Sequence, residues 1–289
     1  MRNNGEHNLF LNPPPGFEVS RLPLDPGNMR LVHGGRGPAL ILIHGLGGSS
    51  EDFFLAAPLL ARERTLYIPD LLGSGGSDKP DAPYTITWLV EVLRQMHRRL
   101  GLGPAPWLGH SLGGLLCLRL AADYPELVDR VVAVCPAGGQ DKLLLRRRLL
   151  RDFLVNRHHK LRIRWTQLLR LYIPLVLFNE WSALARDFSR RFIRRWQGPQ
   201  GPLLERSFVR AALDIFESPF WPQAERLTRP VLMITGRRDL ITTREQTQRL
   251  AKHLPPERRL LALSGGHMLP YTHASELSRA ALDFCRPPR

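Results

Sequence analysis

Leu108-Gly109-His110-Ser111-Leu112-Gly113-Gly114 is the stretch on which the fold turns. It has the form Gly-x-Ser-x-Gly. It follows a short apolar run, Pro106–Leu108, and opens an apolar helical pattern, Leu112–Tyr124. A serine at a sharp strand-to-helix turn projects its hydroxyl from the sheet edge, and small neighbours let the backbone bend that tightly. The helix that begins at Leu112 points its free N–H groups and positive dipole end at whatever the serine attacks.

Outward from this stretch, short unalternating apolar runs recur: Ala39–Ile43, Thr65–Ile68, Val131–Val134, Val231–Thr235 and Arg259–Leu263. Helical spacing fills the gaps over Ser50–Ala61, Thr85–Leu100, Thr243–Leu254 and Ala274–Cys285. Strands apolar on both faces, separated by amphipathic helices, predict an α/β fold with a mostly parallel sheet covered on both sides. Phe17–Leu24 and Met29–His33 read as an antiparallel entry, divided by Asp25-Pro26-Gly27. The alternation lapses over residues 140–225, which reads as a helical cap inserted between core parts 1–139 and 226–289.

A nucleophilic serine needs a base and a group to orient it. Asp239 lies just past the run Val231–Thr235 and His267 just past Arg259–Leu263. In a parallel sheet both loops emerge at the edge that carries Ser111, which is where ligands bind. The order Ser111, Asp239, His267 is the serine–acid–histidine order of a hydrolytic triad on such a sheet. Asp141, after Val131–Val134, is the competing acid. His44 and His110 read as packing groups beside glycines, and His158 and His159 as solvated members of a basic run. His44-Gly45-Leu46-Gly47-Gly48 follows the first long buried run, so the N–H groups of Leu46 and Leu112 are the candidate oxyanion donors. The glycines do not have a nucleotide-binding spacing, which argues against a dinucleotide fold.

These motifs, with Pro69-Asp70-Leu71-Leu72-Gly73-Ser74-Gly75-Gly76-Ser77-Asp78, Gly236-Arg237-Arg238-Asp239 and Gly265-Gly266-His267, resemble the α/β-hydrolase superfamily. The resemblance implies an eight-stranded, mostly parallel sheet, a helical cap after the sixth strand, and no cofactor or metal. It also implies a serine-nucleophile branch similar to carboxylesterases and lipases. An aspartate nucleophile would have marked epoxide hydrolases or haloalkane dehalogenases. The meta-cleavage-product hydrolases, which break carbon–carbon bonds, remain an alternative, although His110, Leu112 and Met268 depart from the Asn, Met and Trp usual there. A non-catalytic ligand-binding member of the fold is the other alternative.

Composition sets the remaining expectations. The 289 residues carry 41 Lys plus Arg against 26 Asp plus Glu, for a formal charge of +15. All but four of the basic residues are arginine, which codon bias could produce as readily as binding. Residues 140–225 hold 17 basic and 8 acidic residues, so the excess is concentrated in the cap. The cap's apolar faces are expected to pack on the core and line the pocket of an apolar ester or acyl substrate, with the arginines solvated. The alternative is a cap that meets an anionic membrane or an acidic carrier protein. No motif supports a nucleic-acid partner. Three well-separated cysteines give no disulfide framework or zinc spacing. Without a long apolar run or a signal-like start, a cytoplasmic protein, at most peripherally membrane-associated, is expected.

Overall fold

The computed structural model describes residues 12–139, 173–179, 182–217 and 221–286. Eight strands form one sheet: β1 (Phe17–Pro23), β2 (Asn28–Gly35), β3 (Ala39–Ile43), β4 (Thr65–Pro69), β5 (Ala105–His110), β6 (Val128–Val134), β7 (Val231–Gly236) and β8 (Arg259–Leu263). Their spatial order is β1-β2-β4-β3-β5-β6-β7-β8. The pairs β1–β2 and β2–β4 are antiparallel, and every pair from β3–β4 to β7–β8 is parallel. The expected fold class is what the chain adopts.

The two-residue period of a strand divides the core. Ile41, Ile43, Trp107, Val131, Ala133, Val231 and Met233 face one side, where they pack with residues of α2 (Ile86–Arg99) and α3 (Leu112–Asp123). Leu40, Leu42, Leu108, Val132, Val134, Leu232 and Ile234 face the other, against α9 (Ala274–Cys285). Because both faces are covered, the central strands lack a polar alternation.

One expected helix is different. Ser50–Ala61 is not continuous. A 3-10 turn over Ser50–Phe53 gives way to the single-turn α1 (Ala57–Leu60), which has Pro58 in its first turn. Proline is accommodated at a helix start but blocks the bond a continuous helix would need from its nitrogen. The four residues of the 3-10 turn are all buried, Glu51 and Asp52 among them, so tertiary contacts rather than periodicity shape this segment.

Between β6 and β7 the described residues hold a π-type turn (Ile173–Phe178), α4 (Ala183–Gln197), α5 (Gly201–Glu217) and the short α6 (Trp221–Ala224). Ser182 caps α4, its side chain accepting from the Ala185 N–H at 3.1 Å. Asp214 of α5 accepts from the Ile86 N–H at 2.7 Å, so this layer supplies a cap for the first turn of α2. Asp141, His158, His159 and the first half of the cap interval lie outside the described residues. The helix α7 (Arg244–Lys252) and the one-turn α8 (Leu269–Thr272) complete the chain's described order. No helix among the described residues is long and apolar enough to cross a membrane.

Candidate active site

Ser111 joins β5 to α3 with φ 53 and ψ −114, a left-handed backbone conformation unusual for a residue with a side chain. The surroundings hold it there. Its N–H donates to Val134 O at 2.9 Å, and its carbonyl accepts from Ala137 N at 3.0 Å. A Cβ on Gly113 would lie 2.0 Å from Ile43 O, so the start of α3 can approach β3 only with glycine there. The motif's glycines therefore answer to backbone proximity, the requirement that the sequence pattern implies.

At the neighbouring strand ends the structure brings Asp239 and His267 together. His267 Nδ1 donates to Asp239 Oδ2 at 2.8 Å, with both residues buried. Asp239 Oδ1 accepts from the N–H groups of Ile241 and Thr242 at 2.8 and 2.9 Å, and Oδ2 from Thr242 Oγ1 at 2.7 Å. Burial opposes the carboxylate's charge, but the His267 bond and charge, with the Thr242 donors, bring its pKa down to about 2. Asp239 is thus an anion whose position is set from several directions.

His110 does more than the packing expected of it. Its Nε2 donates to the main-chain carbonyl of His267 at 2.9 Å, and the two rings lie 4.9 Å apart. The residue before Ser111 therefore holds the loop that carries His267. Burial, followed by the nearby His267 charge, lowers the His110 pKa to about 3, so its ring is neutral in ordinary buffers. His44 is a structural brace, as expected. It donates through Nδ1 to Gly45 O at 2.7 Å and accepts through Nε2 from Leu71 N at 3.0 Å.

Sequence reasoning missed Thr242 and Cys135. Thr242 follows Asp239 by three residues, a local spacing from which a side-chain turn could have been read. Cys135 becomes a neighbour only because β6 lies beside β7. Its sulfur, an Asp239 oxygen and a His267 nitrogen lie within 4.8 Å of one another. That set could ligate a soft metal only by giving up the Asp239–His267 bond. Burial, then the Asp239 charge, pushes the Cys135 thiol well above its usual range and keeps its proton.

Leu46 lies three residues past the end of β3, and Leu112 is the first residue of α3. Among the described residues neither N–H has a hydrogen-bond acceptor. Both residues line one small, partly open cavity. Leu71, Leu72 and Tyr84 form part of its core side, and Trp196, Leu204, Phe208 and Ala211 come from α4 and α5. Its Tyr84 and Ser207 hydroxyls donate to Pro80 O and Gly73 O, leaving a mostly apolar lining.

The sequence pattern described as the alpha/beta hydrolase fold matches residues 38–274. The chain belongs to the α/β-hydrolase fold family. Over 121 residues it is 40% identical to an uncharacterized protein, Rv2715, of Mycobacterium tuberculosis. That match takes in 39% of this chain and 35% of the relative, so the chain spans about a third of that relative's length. A longer match, 29% identical over 249 residues, covers 86% of this chain and 93% of the "Putative carbamate hydrolase RutD" of Pseudomonas savastanoi. Among solved structures, Cfl2 of Burkholderia cenocepacia superimposes with a TM-score of 0.78 at 21% identity, covering 96% of this chain and 99% of that one.

Proposed function

We propose that this α/β-hydrolase is a serine hydrolase that cleaves carboxylic esters of apolar or acyl-chain substrates through an acyl-enzyme on Ser111. The observation that carries the reading is the buried Asp239–His267 pair, bonded at 2.8 Å and tied through His110 to the strained Ser111 turn. With Nδ1–H given to Asp239, the imidazole keeps Nε2 for the serine. Ser111 Oγ attacks the carbonyl carbon as His267 takes its proton. The tetrahedral oxyanion is received by the N–H groups of Leu46 and Leu112. As the intermediate collapses, His267 returns the proton to the leaving alcohol. Water then repeats the sequence on the acyl-enzyme, releasing the acid and restoring Ser111. Asp239 holds the imidazole tautomer and stabilises its positive charge without taking the proton.

The mostly apolar cavity beside Leu46 and Leu112 supports an acyl chain as the group bound there. The relative named as a carbamate hydrolase keeps carbamates within the range to be screened, since acyl transfer from a carbamate uses the same groups. The test is turnover of an aryl-ester series of rising acyl length by wild type and Ser111→Ala, with an aryl carbamate and a carbon–carbon diketone included. Ester turnover that disappears in folded Ser111→Ala is expected. Equal turnover by both proteins would remove Ser111 as nucleophile. Diketone cleavage without ester cleavage would replace the ester reading by the carbon–carbon one.

A further inference from the structure

The segment just past Leu46 is where the cap helices meet the core. Gly48 N–H closes a turn onto Gly45 O at 3.1 Å, and a Cβ on Gly48 would lie 2.2 Å from Asp52 Oδ2. Ser49 Oγ accepts a hydrogen bond from Arg195 Nη1 at 3.0 Å. Arg195 Nη2 and Arg191 Nε lie 3.5 and 3.7 Å from Glu51 Oε2. Both arginines belong to α4, and Glu51 has no exposed surface. From the other side Tyr271, four residues past His267, donates its hydroxyl to Glu51 O at 3.1 Å. Residues 49–51 therefore join three parts of the site: the turn bearing Leu46, a cap helix, and the segment bearing His267.

A buried carboxylate without cationic partners is strongly disfavoured, so Glu51 binds α4 to the turn below it. A main-chain N–H can stabilise an oxyanion only while its turn holds the right direction, and a small misplacement is felt in the rate. We propose that Arg195 is a positioning residue, which acts from the cap through Ser49 and Glu51 to aim the Leu46 N–H at the reacting carbonyl. The inference rests on Ser111 being the nucleophile. It makes the seated position of α4 a condition for the oxyanion site and not only a wall of the cavity.

The test is the rate at which a fluorophosphonate labels Ser111. Ser111 Oγ attacks phosphorus, the P–F bond breaks, fluoride leaves, and His267 takes the proton. The oxygen on phosphorus draws on the same N–H donors. Arg195→Met is expected to slow labelling about 10- to 100-fold. It should lower kcat for an ester to match while leaving KM within about threefold. Arg195→Lys keeps the charge and should recover part of the loss, and Ser49→Ala should lose less than Arg195→Met. Labelling of Arg195→Met at the wild-type rate, or an effect confined to KM, overturns the proposal. Should Arg195→Met fail to melt cooperatively, wild-type rates in both Arg195→Lys and Ser49→Ala overturn it instead. Wild type that labels no better than Ser111→Ala removes the nucleophile, and the inference with it. Normal wild-type labelling with unchanged variants removes the inference alone.

Discussion

Asp239 shows how much one side chain's surroundings decide. Its carboxylate has four hydrogen-bond donors, from His267, Ile241 and twice from Thr242, and a pKa of about 2. An asparagine would fit the space but could present its NH₂ to His267 and so favour the wrong imidazole tautomer. Asp239→Asn is expected to lower kcat about 1,000- to 10,000-fold with KM little changed. Steady-state kinetics on an ester that wild type turns over measure this, and a loss of less than about tenfold would remove Asp239 from its role. The meeting of Asp239 and His267 was legible because parallel topology sends their loops to one edge. The bond from His110 to the His267 carbonyl was not, since it joins residues 157 positions apart and depends on how the loops settle. Cys135 was hidden for a similar reason, its neighbours coming from an adjacent strand.

At the scale of elements, the strands were the most readable part, because burial on both faces leaves an uninterrupted apolar run. The first helix was the least readable. Its apolar spacing persists through Ser50–Ala61, yet the buried Glu51 and Asp52 answer to α4 and the turn at Gly48 rather than to their own segment. The interval between β6 and β7 reads as helical with apolar faces that line a pocket, and its described residues hold α4 and α5, which line the cavity. Phe188, Phe192, Trp196 and Phe208 form a run of ring contacts, with centroids 6.1, 5.4 and 5.0 Å apart, that leads to the cavity. Ala211 is a small residue that α5 contributes to that lining. A larger side chain there occupies space that a long acyl chain would need, at little expense to a short one. Ala211→Phe is therefore expected to reduce kcat/KM for long-chain aryl esters at least about tenfold more than for the acetyl ester. Equal effects across the series would place the acyl group elsewhere.

For the whole molecule, the charge that stands out in the sequence is partly turned inward. Arg191 and Arg195 meet the buried Glu51, whereas Arg206 and Arg210 pair at the surface with the exposed Asp81. Among the described residues of α4, Arg186, Arg190 and Arg194 are exposed. The inward charges make stability depend on pH, and Asp52 has a sign of its own. Burial, offset in part by Arg195 and reinforced by Glu51 and Asp70, raises its pKa from 3.8 to about 7. The folded state therefore keeps a proton that the unfolded chain releases from about pH 3.8, so this group's contribution to stability falls as pH rises to about 7 and is level beyond. His110, lowered to about 3, acts oppositely over much of that range, and Asp239 contributes its slope below pH 3.8. The wild-type curve alone cannot separate them, but its difference from Asp52→Asn can. The variant's stability relative to wild type should increase from pH 4.5 to pH 7.5, by urea unfolding at matched ionic strength, and then stay constant. A difference that is flat from pH 4.5 to 7.5, or that declines, would mean that Asp52 is ionised throughout and that Arg195 outweighs its burial.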